Sequence, residues 1–437
     1  MPSRSLNVLI VGAGIGGLQA ALALATDGHQ ITVFESAKAF ENGGAGIRVP
    51  PSSSKLSRAW GVDFSQVKKE VSRGNRFIDW KGKHLLDVPL DDVQDCYGSP
   101  YYFIHRADLV DLLVKTAEQK PNITIRLNSR VVSYNFEEPS FELGSGELVS
   151  GDVIIVADGI KSSVRDIING RPLAPQDTGD VAYRILVPAQ PLLDDPEMAH
   201  LIKSPWAVHW MGPEGHAVGY PLQEGEMYNI IIDVTHASDL DDPISNDEQI
   251  WKSARSNAEL VERFKDWYPE VRRLCAMTGD YLKWKLADFD QLDNWVHPSG
   301  KAALFGDACR PMMPYMAQGA AQATEDAATL AAALRHCDTI PEALKTYEAQ
   351  RKPRTTYIAR NTRVLQDWLH VYDGPARDRR DEMMRSDNEN NPIFWGCSER
   401  KDWLFGHDAS QIHEEIRVPN LPPRPSKEAS VYRMANL

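Results

Sequence analysis

Three glycines near the start of the chain have the spacing of a phosphate-binding turn. Gly12, Gly14 and Gly17 follow the pattern G-x-G-x-x-G, directly after the apolar run 6–11 and before an Ala/Leu-rich stretch. We expect a buried strand, a tight turn and a helix here. Glycines let backbone N–H groups approach a pyrophosphate, and a helix N-terminus favours its negative charge. A tight turn without a ligand is the alternative interpretation.

A carboxylate at the end of the second strand would complete such a site. Glu35 lies 18 residues after Gly17, where it can accept hydrogen bonds from an adenosine ribose. An acid at this position argues against a 2′-phosphate on the nucleotide. The sequence has no second G-x-G-x-x-G motif and no redox cysteine pair, which argues against a disulfide reductase. These residues predict a dinucleotide site and leave FAD and NAD both open.

A second glycine signature lies far along the chain. Gly306 and Asp307 directly follow the apolar run 302–305, and an Ala-rich stretch over 319–334 predicts a long helix. In open α/β sheets, ligands bind at the carboxyl ends of strands, where Asp307 is expected. We therefore expect the two glycine segments to hold one ligand between them.

The elements that position these residues form two groups. Residues 6–35 are typical of a strand–helix–strand unit of a nucleotide-binding fold. The runs 206–211, 217–222 and 227–234 are strand-like and separated by glycine-containing turns, which predicts an antiparallel meander. We expect this sheet to be a separate domain inserted into the nucleotide fold.

Composition excludes several classes of protein. The chain has 437 residues, enough for two or three domains, and a formal net charge of −13 without a Lys/Arg cluster. Nucleic acid and anionic membrane surfaces are therefore unexpected partners. No apolar run is long enough for a membrane span. Five scattered cysteines without a C-x-x-C pair argue against a disulfide framework or a zinc site, and we expect a reducing, cytoplasmic location.

Several segments together give the chain a family resemblance. It resembles the single-component (class A) FAD-dependent aromatic hydroxylases, the p-hydroxybenzoate hydroxylase class, and most closely their fungal salicylate-hydroxylase-like branch. The segments that carry the resemblance are 44–51, 105–109, 158–165 and 306–326. The resemblance covers about residues 5–370 and is specific as a combination, although each segment alone is not.

The resemblance implies an α/β fold with a Rossmann-like FAD-binding domain, an inserted antiparallel-sheet substrate domain and a C-terminal helical or extended arm. The implied division is 1–78, 101–178 and 285–370 for the FAD-binding domain, 79–100 and 179–284 for the substrate domain, and 371–437 for the arm. A monomer or a homodimer is expected.

The resemblance also implies roles for individual residues around FAD. Asp307 would bind the ribityl hydroxyls, Arg106 would reach the FAD backbone, and Pro311 would lie beside the flavin face where oxygen adds. Gly319 and Ala320 would present a helix N-terminus to the flavin pyrimidine. Asp158 and Arg165 would belong to a loop that serves both FAD and the transient cosubstrate NAD(P)H. The full cofactor-binding set is Gly12, Gly14, Gly17, Glu35, Arg48, Arg106, Asp158, Arg165, Asp307, Pro311, Gly319 and Ala320.

The implied reaction uses NAD(P)H and O₂. Reduced FAD would form a C4a-hydroperoxyflavin, whose distal oxygen hydroxylates or epoxidises an electron-rich aromatic ring without a metal. The substrate would be a secondary metabolite, such as an indole alkaloid or a polyketide phenol, or else a salicylate-type phenol acid. A flavin reductase or dehydrogenase that makes no oxygenated product is a further alternative, and so is a nucleotide-binding regulator without catalysis.

The residues expected to handle substrate are Arg184, Tyr220 and Arg48. Arg184 is expected to bind a phenolate or carboxylate or to hydrogen-bond the flavin hydroperoxide, with a salt bridge at a strand edge as the alternative. Tyr220 and His209, on adjoining predicted strands, are expected to line one cavity or to belong to the core. Relatives usually carry Gln where Arg48 stands and His where Arg310 stands. Both are expected near the flavin, where they place permanent cations.

Overall fold

A computed structural model describes residues 5–40, 44–235, 252–254, 256–279 and 281–425. In this part of the chain the strands are β1 Asn7–Val11, β2 Gln30–Phe34, β3 Gly46–Val49, β4 Lys69–Val71, β5 Gly74–Asp79, β6 His84–Pro89, β7 Tyr102–His105, β8 Ile123–Arg126, β9 Val131–Asn135, β10 Ser140–Leu143, β11 Leu148–Ser150, β12 Val153–Val156, β13 Gln176–Pro188, β14 Trp206–Gly212, β15 Gly215–Leu222, β16 Met227–Thr235, β17 Lys252–Ala254, β18 Tyr281–Asp288 and β19 Ala302–Leu304.

The α-helices of the same described residues are α1 Ile15–Thr26, α2 Pro51–Ala59, α3 Val93–Tyr97, α4 Arg106–Glu118, α5 Val164–Asn169, α6 Gln190–Leu193, α7 His200–Lys203, α8 Ala258–Arg263, α9 Pro269–Met277, α10 Gly319–His336, α11 Ile340–Leu369, α12 Pro375–Met383 and α13 Ser398–Phe405. None of them is both long enough and apolar enough to cross a membrane.

A five-stranded parallel sheet forms the nucleotide-binding part of the fold. Its strand order is β19-β12-β1-β2-β8, and every residue of β12 is buried. This run of valines and isoleucines suits a strand covered on both faces. Helix α1 packs closely on α10, since a Cβ on Gly16 would lie 3.3 Å from the Cβ of Ala323. The strand–helix–strand unit predicted over 6–35 is confirmed.

An eight-stranded sheet stands beside it, in the order β17-β18-β13-β16-β15-β14-β5-β6. The meander β14–β15–β16 is antiparallel, as expected. One pairing of this sheet differs from the others, because β5 lies parallel to β14. The reason is topological: β5 enters the sheet from an earlier part of the chain, and no sequence pattern encodes that direction.

Alternate residues of this sheet point to opposite faces. The inner face carries the side chains Asn75, Phe77, Arg184, His209, His216, Tyr220, Asn229 and Asp233, as the strand registers require. Its apolar members pack with Met313, Tyr315 and Met316 of the segment that precedes α10. The outer face is covered by α7, α8 and α9. The inner face therefore looks toward the second glycine signature.

The predicted division of the chain cuts through three strands. Strand β5 begins at Gly74, β13 begins at Gln176 and β18 ends at Asp288. These strands extend beyond the boundaries placed at 79, 179 and 284. The division into domains otherwise stays a prediction.

The segment predicted as a C-terminal arm packs back onto the molecule. Phe394, Trp395 and Phe405 are buried in the same apolar cluster as the inner face of the large sheet. Helix α11 anchors this segment, since the Nη2 of Arg354 donates to the carbonyl of Leu404 at 2.9 Å. Residues 406–425 continue without regular structure, and the rest of the predicted arm, 426–437, lies outside the described residues.

Candidate active site

The first glycine turn has a backbone that other residues could not adopt. Gly12 has φ +105°, and a Cβ there would lie 2.4 Å from the carbonyl oxygen of Ala157. A Cβ on Gly17 would lie 2.0 Å from the carbonyl oxygen of Gly12, so α1 approaches the turn more closely than an alanine would permit. In contrast, a Cβ on Gly14 would meet no described atom within 4 Å. The N–H of Gly12 donates to the carbonyl of Phe34 at 2.8 Å, so a bound anion would be held by the uncapped first turn of α1, which begins after Gly14.

Glu35 directly follows β2 and faces this turn. Its Oε2 accepts a hydrogen bond from the backbone N–H of Ala13 at 2.9 Å, and its Oε1 accepts one from Ala37 at 2.8 Å. The Oε1 also accepts a hydrogen bond from the hydroxyl of Ser36 at 3.2 Å, so the Oε2 is the oxygen that can accept a further one. The carboxylate is thus held at the position where the sequence predicts a ribose contact.

The second glycine signature reaches the same edge of the parallel sheet. Because β19, β12 and β1 are neighbours, Asp307, Asp158 and Gly12 follow adjacent strand ends. The Asp307 residue is exposed, and its Oδ1 lies 4.0 Å from where a Cβ of Gly319 would be. Desolvation raises the pKa of this carboxyl, against the opposing charges of Arg310 and Arg106. The two segments converge, as expected.

Helix α10 begins at this point with its first turn uncapped. Its N-cap residue is Gln318, whose side chain caps no N–H among the residues that the structure describes. Gly319 and Ala320 are the first two helical residues and are partly exposed. The free N–H groups of a first helical turn favour a negatively charged or carbonyl-bearing ligand. Pro311 is buried in the segment that leads to this turn.

Arg165 is buried and holds two loops together. Its Nε donates to the carbonyl of Ala308 at 3.0 Å, its Nη1 to Ile160 at 3.1 Å and its Nη2 to Asp307 at 3.2 Å. The guanidinium also lies 4.0 Å from the centre of the Phe289 ring. This geometry fixes the backbone of Asp307, while direct contact of Arg165 with a nucleotide stays a prediction.

Arg106, the first residue of α4, is exposed toward the cleft. Burial lowers the pKa of Arg184, and the positive charge of Arg106 lowers it further. Arg106 therefore lies between the nucleotide-binding edge and the inner face. Its predicted contact with the backbone of FAD is compatible with this place and stays a prediction.

Arg184 lies half-buried on the inner face, with its guanidinium 4.5 Å from the centre of the Trp284 ring. Its Nε is buried without a hydrogen-bond partner, and Arg184 forms no salt bridge with any described residue. The alternative of a salt bridge at a strand edge thus finds no partner within the described ranges. A cation in this state suits a ligand that brings its own acceptor.

Tyr220 is buried on the same face, 4.6 Å from the Phe103 ring between ring centres. Burial raises the pKa of its hydroxyl to about 12, so Tyr220 is neutral near pH 7. A Cβ on Gly46 would lie 2.6 Å from the Tyr220 ring, which explains a glycine in β3. Tyr220 is both a core residue and a wall of the space beside Arg184.

Arg48 and His209 share one partner. The Nη1 of Arg48 donates to the Oδ1 of Asn75 at 2.8 Å, and the Nε2 of His209 lies 3.2 Å from the same oxygen. Burial, followed by the charge of Arg48, lowers the pKa of His209 well below its ordinary value, so the ring is neutral. Arg48 also lies 5.6 Å from the Trp395 ring centre. Arg48 is therefore fixed in the wall of the inner face, and its two predicted roles stay predictions.

Arg310 belongs to a buried ionic network between α10 and α11. Its Nη2 donates to Asp326, which also accepts a bond from the Nε of Arg351 at 2.7 Å. Burial lowers the pKa of Arg310, but the charge of Asp326 and its hydrogen bond, together with Cys309 and Tyr347, raise the pKa above its ordinary value. Glu325 completes the network with bonds from Arg351 at 2.9 Å and from Arg354 at 2.8 Å. The cation expected near the flavin is thus compensated by an acid of α10.

Sequence reasoning missed this network and a second polar cluster around Asp233, His216 and His370. Two adjacent acids inside an Ala-rich helix were a usable signal for the first. For the second, the alternation in β15 places His216 on the same face as Tyr220, which the sequence already showed. His370, at the end of α11, carries no such signal.

The comparisons with known proteins agree with this geometry. The model of a family described as "FAD binding domain" matches residues 5–362. The FAD-dependent monooxygenase OpS4 of Beauveria bassiana is 32% identical over 422 residues, which are 93% of this chain and 96% of the relative. The 3-hydroxybenzoate 6-hydroxylase 1 of Aquipseudomonas alcaligenes is 32% identical over 419 residues, 93% of this chain and 99% of the relative. A salicylate hydroxylase solved with its substrate superposes with a TM-score of 0.76 at 25% identity, over 93% of this chain and 96% of the other.

Proposed function

Since this chain belongs to the FAD-binding monooxygenase family that its residues 5–362 match, we propose that it inserts one atom of O₂ into an aromatic ring, with NAD(P)H as the reductant. The protein is an FAD-dependent monooxygenase, and the aromatic substrate and the nicotinamide cosubstrate are the proposal. The observation that carries the proposal is Arg184, a half-buried cation on the inner face whose Nε has no hydrogen-bond partner among the described residues.

The residues present fit FAD. The turn of Gly12 and Gly14 would hold the pyrophosphate, Glu35 the adenosine ribose and Asp307 the ribityl hydroxyls. The uncapped N-terminus of α10, at Gly319, would face the flavin pyrimidine. Bound FAD supplies the electron transfer and the activation of O₂, which protein side chains cannot perform.

The side chains of the inner face would bind and orient the substrate. Arg184 would donate a hydrogen bond to a phenolate or a carboxylate, because its Nε is desolvated and lacks a partner among the described residues. Tyr220 would donate a hydrogen bond from its neutral hydroxyl. The surrounding apolar residues exclude water, which protects reactive oxygen species from unproductive decay.

Within this proposal, an electron-rich phenol or phenol acid fits the charges best. Arg184, Arg48 and Arg106 place three cations around the inner face. The relatives named as 3-hydroxybenzoate 6-hydroxylase and salicylate hydroxylase favour a phenol acid, which is the second candidate. The fungal relatives named only as FAD-dependent monooxygenases leave room for a larger secondary-metabolite phenol.

The reaction is tested with isotopically labelled O₂. Holoenzyme supplied with NADH or NADPH is screened against phenols, hydroxybenzoates and indoles for stimulated cosubstrate oxidation, and the products are analysed by mass spectrometry. We expect one labelled oxygen atom in the ring of the product. Stimulated oxidation that yields only hydrogen peroxide with every compound would instead assign a flavin reductase.

The cofactor site is tested with Asp307→Ala and the exposed control Asp338→Ala. Loss of the ribityl acceptor costs about 1–3 kcal/mol, so FAD should dissociate on the order of tenfold to a hundredfold more readily. Flavin absorbance after dialysis measures retention. Equal retention by the two variants would refute the role of Asp307.

A cytoplasmic location and a monomeric or homodimeric state are also part of the proposal. All five cysteines are free thiols, which fits a reducing compartment.

A further inference from the structure

The last described residues, 412–425, form a segment that lies along α11, and we call this segment the strap. The strap follows α13 and contains neither helix nor strand. Its backbone forms no hydrogen bond with another backbone group within the described residues. Side chains of α11 and α13 hold its carbonyl groups instead. A segment attached in this way opens at a lower free energy than a helix or a sheet.

Four side-chain donors each bind one carbonyl group of the strap, at 2.7–3.1 Å. The pairs are Gln350 with His413, Trp403 with Arg417, Tyr357 with Asn420 and Trp368 with Pro423. The backbone N–H of His413 also donates to the Oε1 of Gln350 at 3.0 Å. Three of the four donors are aromatic side chains, which combine an apolar surface with one polar atom.

The donors of α11 lie on one stripe of the helix. Gln350, Tyr357 and Trp368 are 7 and 11 residues apart, and both spacings return to the same face of an α-helix. These donors span about 27 Å along the axis, at 1.5 Å per residue. From His413 to Pro423 the strap covers that span with about 2.7 Å per residue, close to the rise of a polyproline II chain. The strap is therefore extended and runs parallel to α11.

The strap also contacts the segment that precedes and begins α13. The Nδ2 of Asn420 donates to the Oε2 of Glu389 at 3.2 Å, and the Nε1 of Trp403 donates to a strap carbonyl. Between these two contacts lies Trp395, which is 2% exposed. The strap thus holds both ends of the segment 389–403, whose middle carries Trp395.

Trp395 forms a wall of the inner face. Its ring lies 6.4 Å from the His209 ring between ring centres, and the guanidinium of Arg48 lies 5.6 Å from its ring centre. The neighbouring Phe394 lies 6.3 Å from the ring of Tyr357, one of the donors to the strap. A displacement of Trp395 from Arg48 would therefore open the inner face on the side of the strap.

The outer side of the strap faces solvent. Val418 is 44% exposed and Leu421 is 41% exposed. Both line a groove of about 640 Å³ between the strap and α11. Arg424 of the strap lies 3.8 Å from Asp367, but Arg424 is largely exposed, and such an ion pair contributes little. The hydrogen bonds to the carbonyl groups are the principal attachment, and they can break without unfolding α11.

We propose that the strap detaches and reattaches as a unit, and that aromatic ligands enter and leave the inner face while it is detached. In the attached state, the strap fixes the segment 389–403 and keeps Trp395 beside Arg48. In the detached state, this segment loses both contacts with the strap, and Trp395 can move. The inference rests on the proposed function, because it requires an aromatic ligand at the inner face.

Two substitutions weaken the attachment at different points. Gln350→Glu replaces the amide donor to His413 with an acceptor at nearly equal volume. The described hydrogen bonds of the Gln350 side chain are all with His413, so an effect on the inner face must pass through the strap. Tyr357→Phe removes one hydroxyl and keeps the ring. The matched control is Tyr347→Phe, because Tyr347 also belongs to α11 but donates to the carbonyl of Leu304 at 3.4 Å.

Detachment of the strap is measured with trypsin on the holoenzyme. The peptide bond after Arg417 lies within the strap, and its cleavage tracks the population in which the strap is open. Mass spectrometry of the intact protein follows the cut after Arg417. We expect Gln350→Glu and Tyr357→Phe each to raise the cleavage rate roughly fivefold, the effect of one hydrogen bond. Tyr347→Phe should be cleaved at the wild-type rate.

Ligand exchange is measured by stopped-flow flavin fluorescence, with salicylate as the probe. We expect Gln350→Glu and Tyr357→Phe to raise the association and the dissociation rates of salicylate by the same factor, roughly fivefold. Its Kd should stay constant, because salicylate has equal affinity for the attached and detached states in this scheme. Tyr347→Phe should bind and release salicylate as the wild type does.

The other outcomes separate the two proposals. Wild-type exchange rates in both variants, despite faster cleavage, would overturn the role of the strap and leave the proposed function intact. A weaker affinity at an unchanged association rate would also overturn it, since a strap that only supports the wall would act in that way. Salicylate that leaves the flavin fluorescence of the wild-type protein unchanged would contradict both proposals.

Discussion

Two regions of this molecule treat buried charge in opposite ways. At the α10–α11 interface, Arg351 and Arg354 donate to Glu325 and Asp326 at 2.7–2.9 Å. On the inner face, the Nε of Arg184 and the Oδ1 of Asp233 lack a hydrogen-bond partner among the described residues. Unsatisfied buried groups destabilise a fold. The difference indicates that the first region stabilises the fold, and that the second keeps polar groups available for a ligand.

Removing a carboxylate from the buried ionic network between α10 and α11 should produce the largest loss of stability. Glu325→Gln removes one of two carboxylates that face three guanidiniums, and burial makes the remaining charge costly. We expect the free energy of unfolding to fall by about 3–5 kcal/mol. Urea denaturation of the apoprotein measures it.

The control is Glu415→Gln, which removes an exposed pair with Arg417 and should cost less than about 1 kcal/mol. If both substitutions lowered the free energy of unfolding equally, the buried network would contribute no more to stability than an exposed ion pair.

The second largest effect is expected in the pH dependence of stability, which should differ between the inner face and the buried ionic network. The folded pKa of His370 is about 3, below the ordinary 6.5, so its contribution to stability is present above pH 6.5 and is lost as pH falls toward 3. The slope in that window is about 1.4 kcal/mol per pH unit for one such group. His370→Asn should flatten the curve by this amount in urea titrations.

The network should respond differently to acid. Burial opposes ionisation of Glu325, but Arg354 and Arg351 hold its pKa below the ordinary value. Its stabilisation is present above the unfolded pKa and persists until the pH falls through the folded value, so it should outlast that of His370. The exposed variant His336→Asn should leave the curve unchanged. A curve for His370→Asn that parallels the wild type would show that burial of this imidazole is incomplete.

The smallest change in stability is expected at Arg184. Arg184→Met replaces a buried cation that has no ion pair within the described ranges, so the free energy of unfolding should stay constant or rise by about 1 kcal/mol. Affinity for salicylate, measured by quenching of flavin fluorescence, should fall by about tenfold or more. Arg184→Lys should retain part of the affinity. A loss of stability like that of Glu325→Gln would show that Arg184 is a structural residue.

The glycine motifs could be predicted from the sequence because the backbone geometry that they require is set by short stretches of the chain. The turn at Gly12 and the helix after it depend on residues adjacent in the chain, and the structure confirms them. The FAD-binding fold and the monooxygenase class were recognised from the same segments and are confirmed by the family match. The roles assigned to single residues remain predictions.

The direction of the strands and the residues at which they end were harder to predict from the sequence. The parallel pairing of β5 with β14 joins residues more than a hundred positions apart, and the alternation within Gly74–Asp79 is the same for either direction. The partner of Arg310 was missed for a similar reason. Asp326 lies 16 residues away, and only the packing of α10 against the preceding turn brings the two charges together.

The sequence by itself predicted a glycine turn, an acid after the second strand and a Gly-Asp segment near residue 306, because each is a short-range pattern in the chain. Their joint assignment to a flavin came from the family resemblance and stays a prediction. Only the tertiary structure decided which buried charges are neutralised and which are left open. That choice depends on distances between Asp233, His370 and Asp180, which come from separate elements and meet only when the sheet and α11 pack together. Burial then raises the pKa of Asp233 and lowers that of His370, and the burial of these polar side chains comes only from the packing of separate elements.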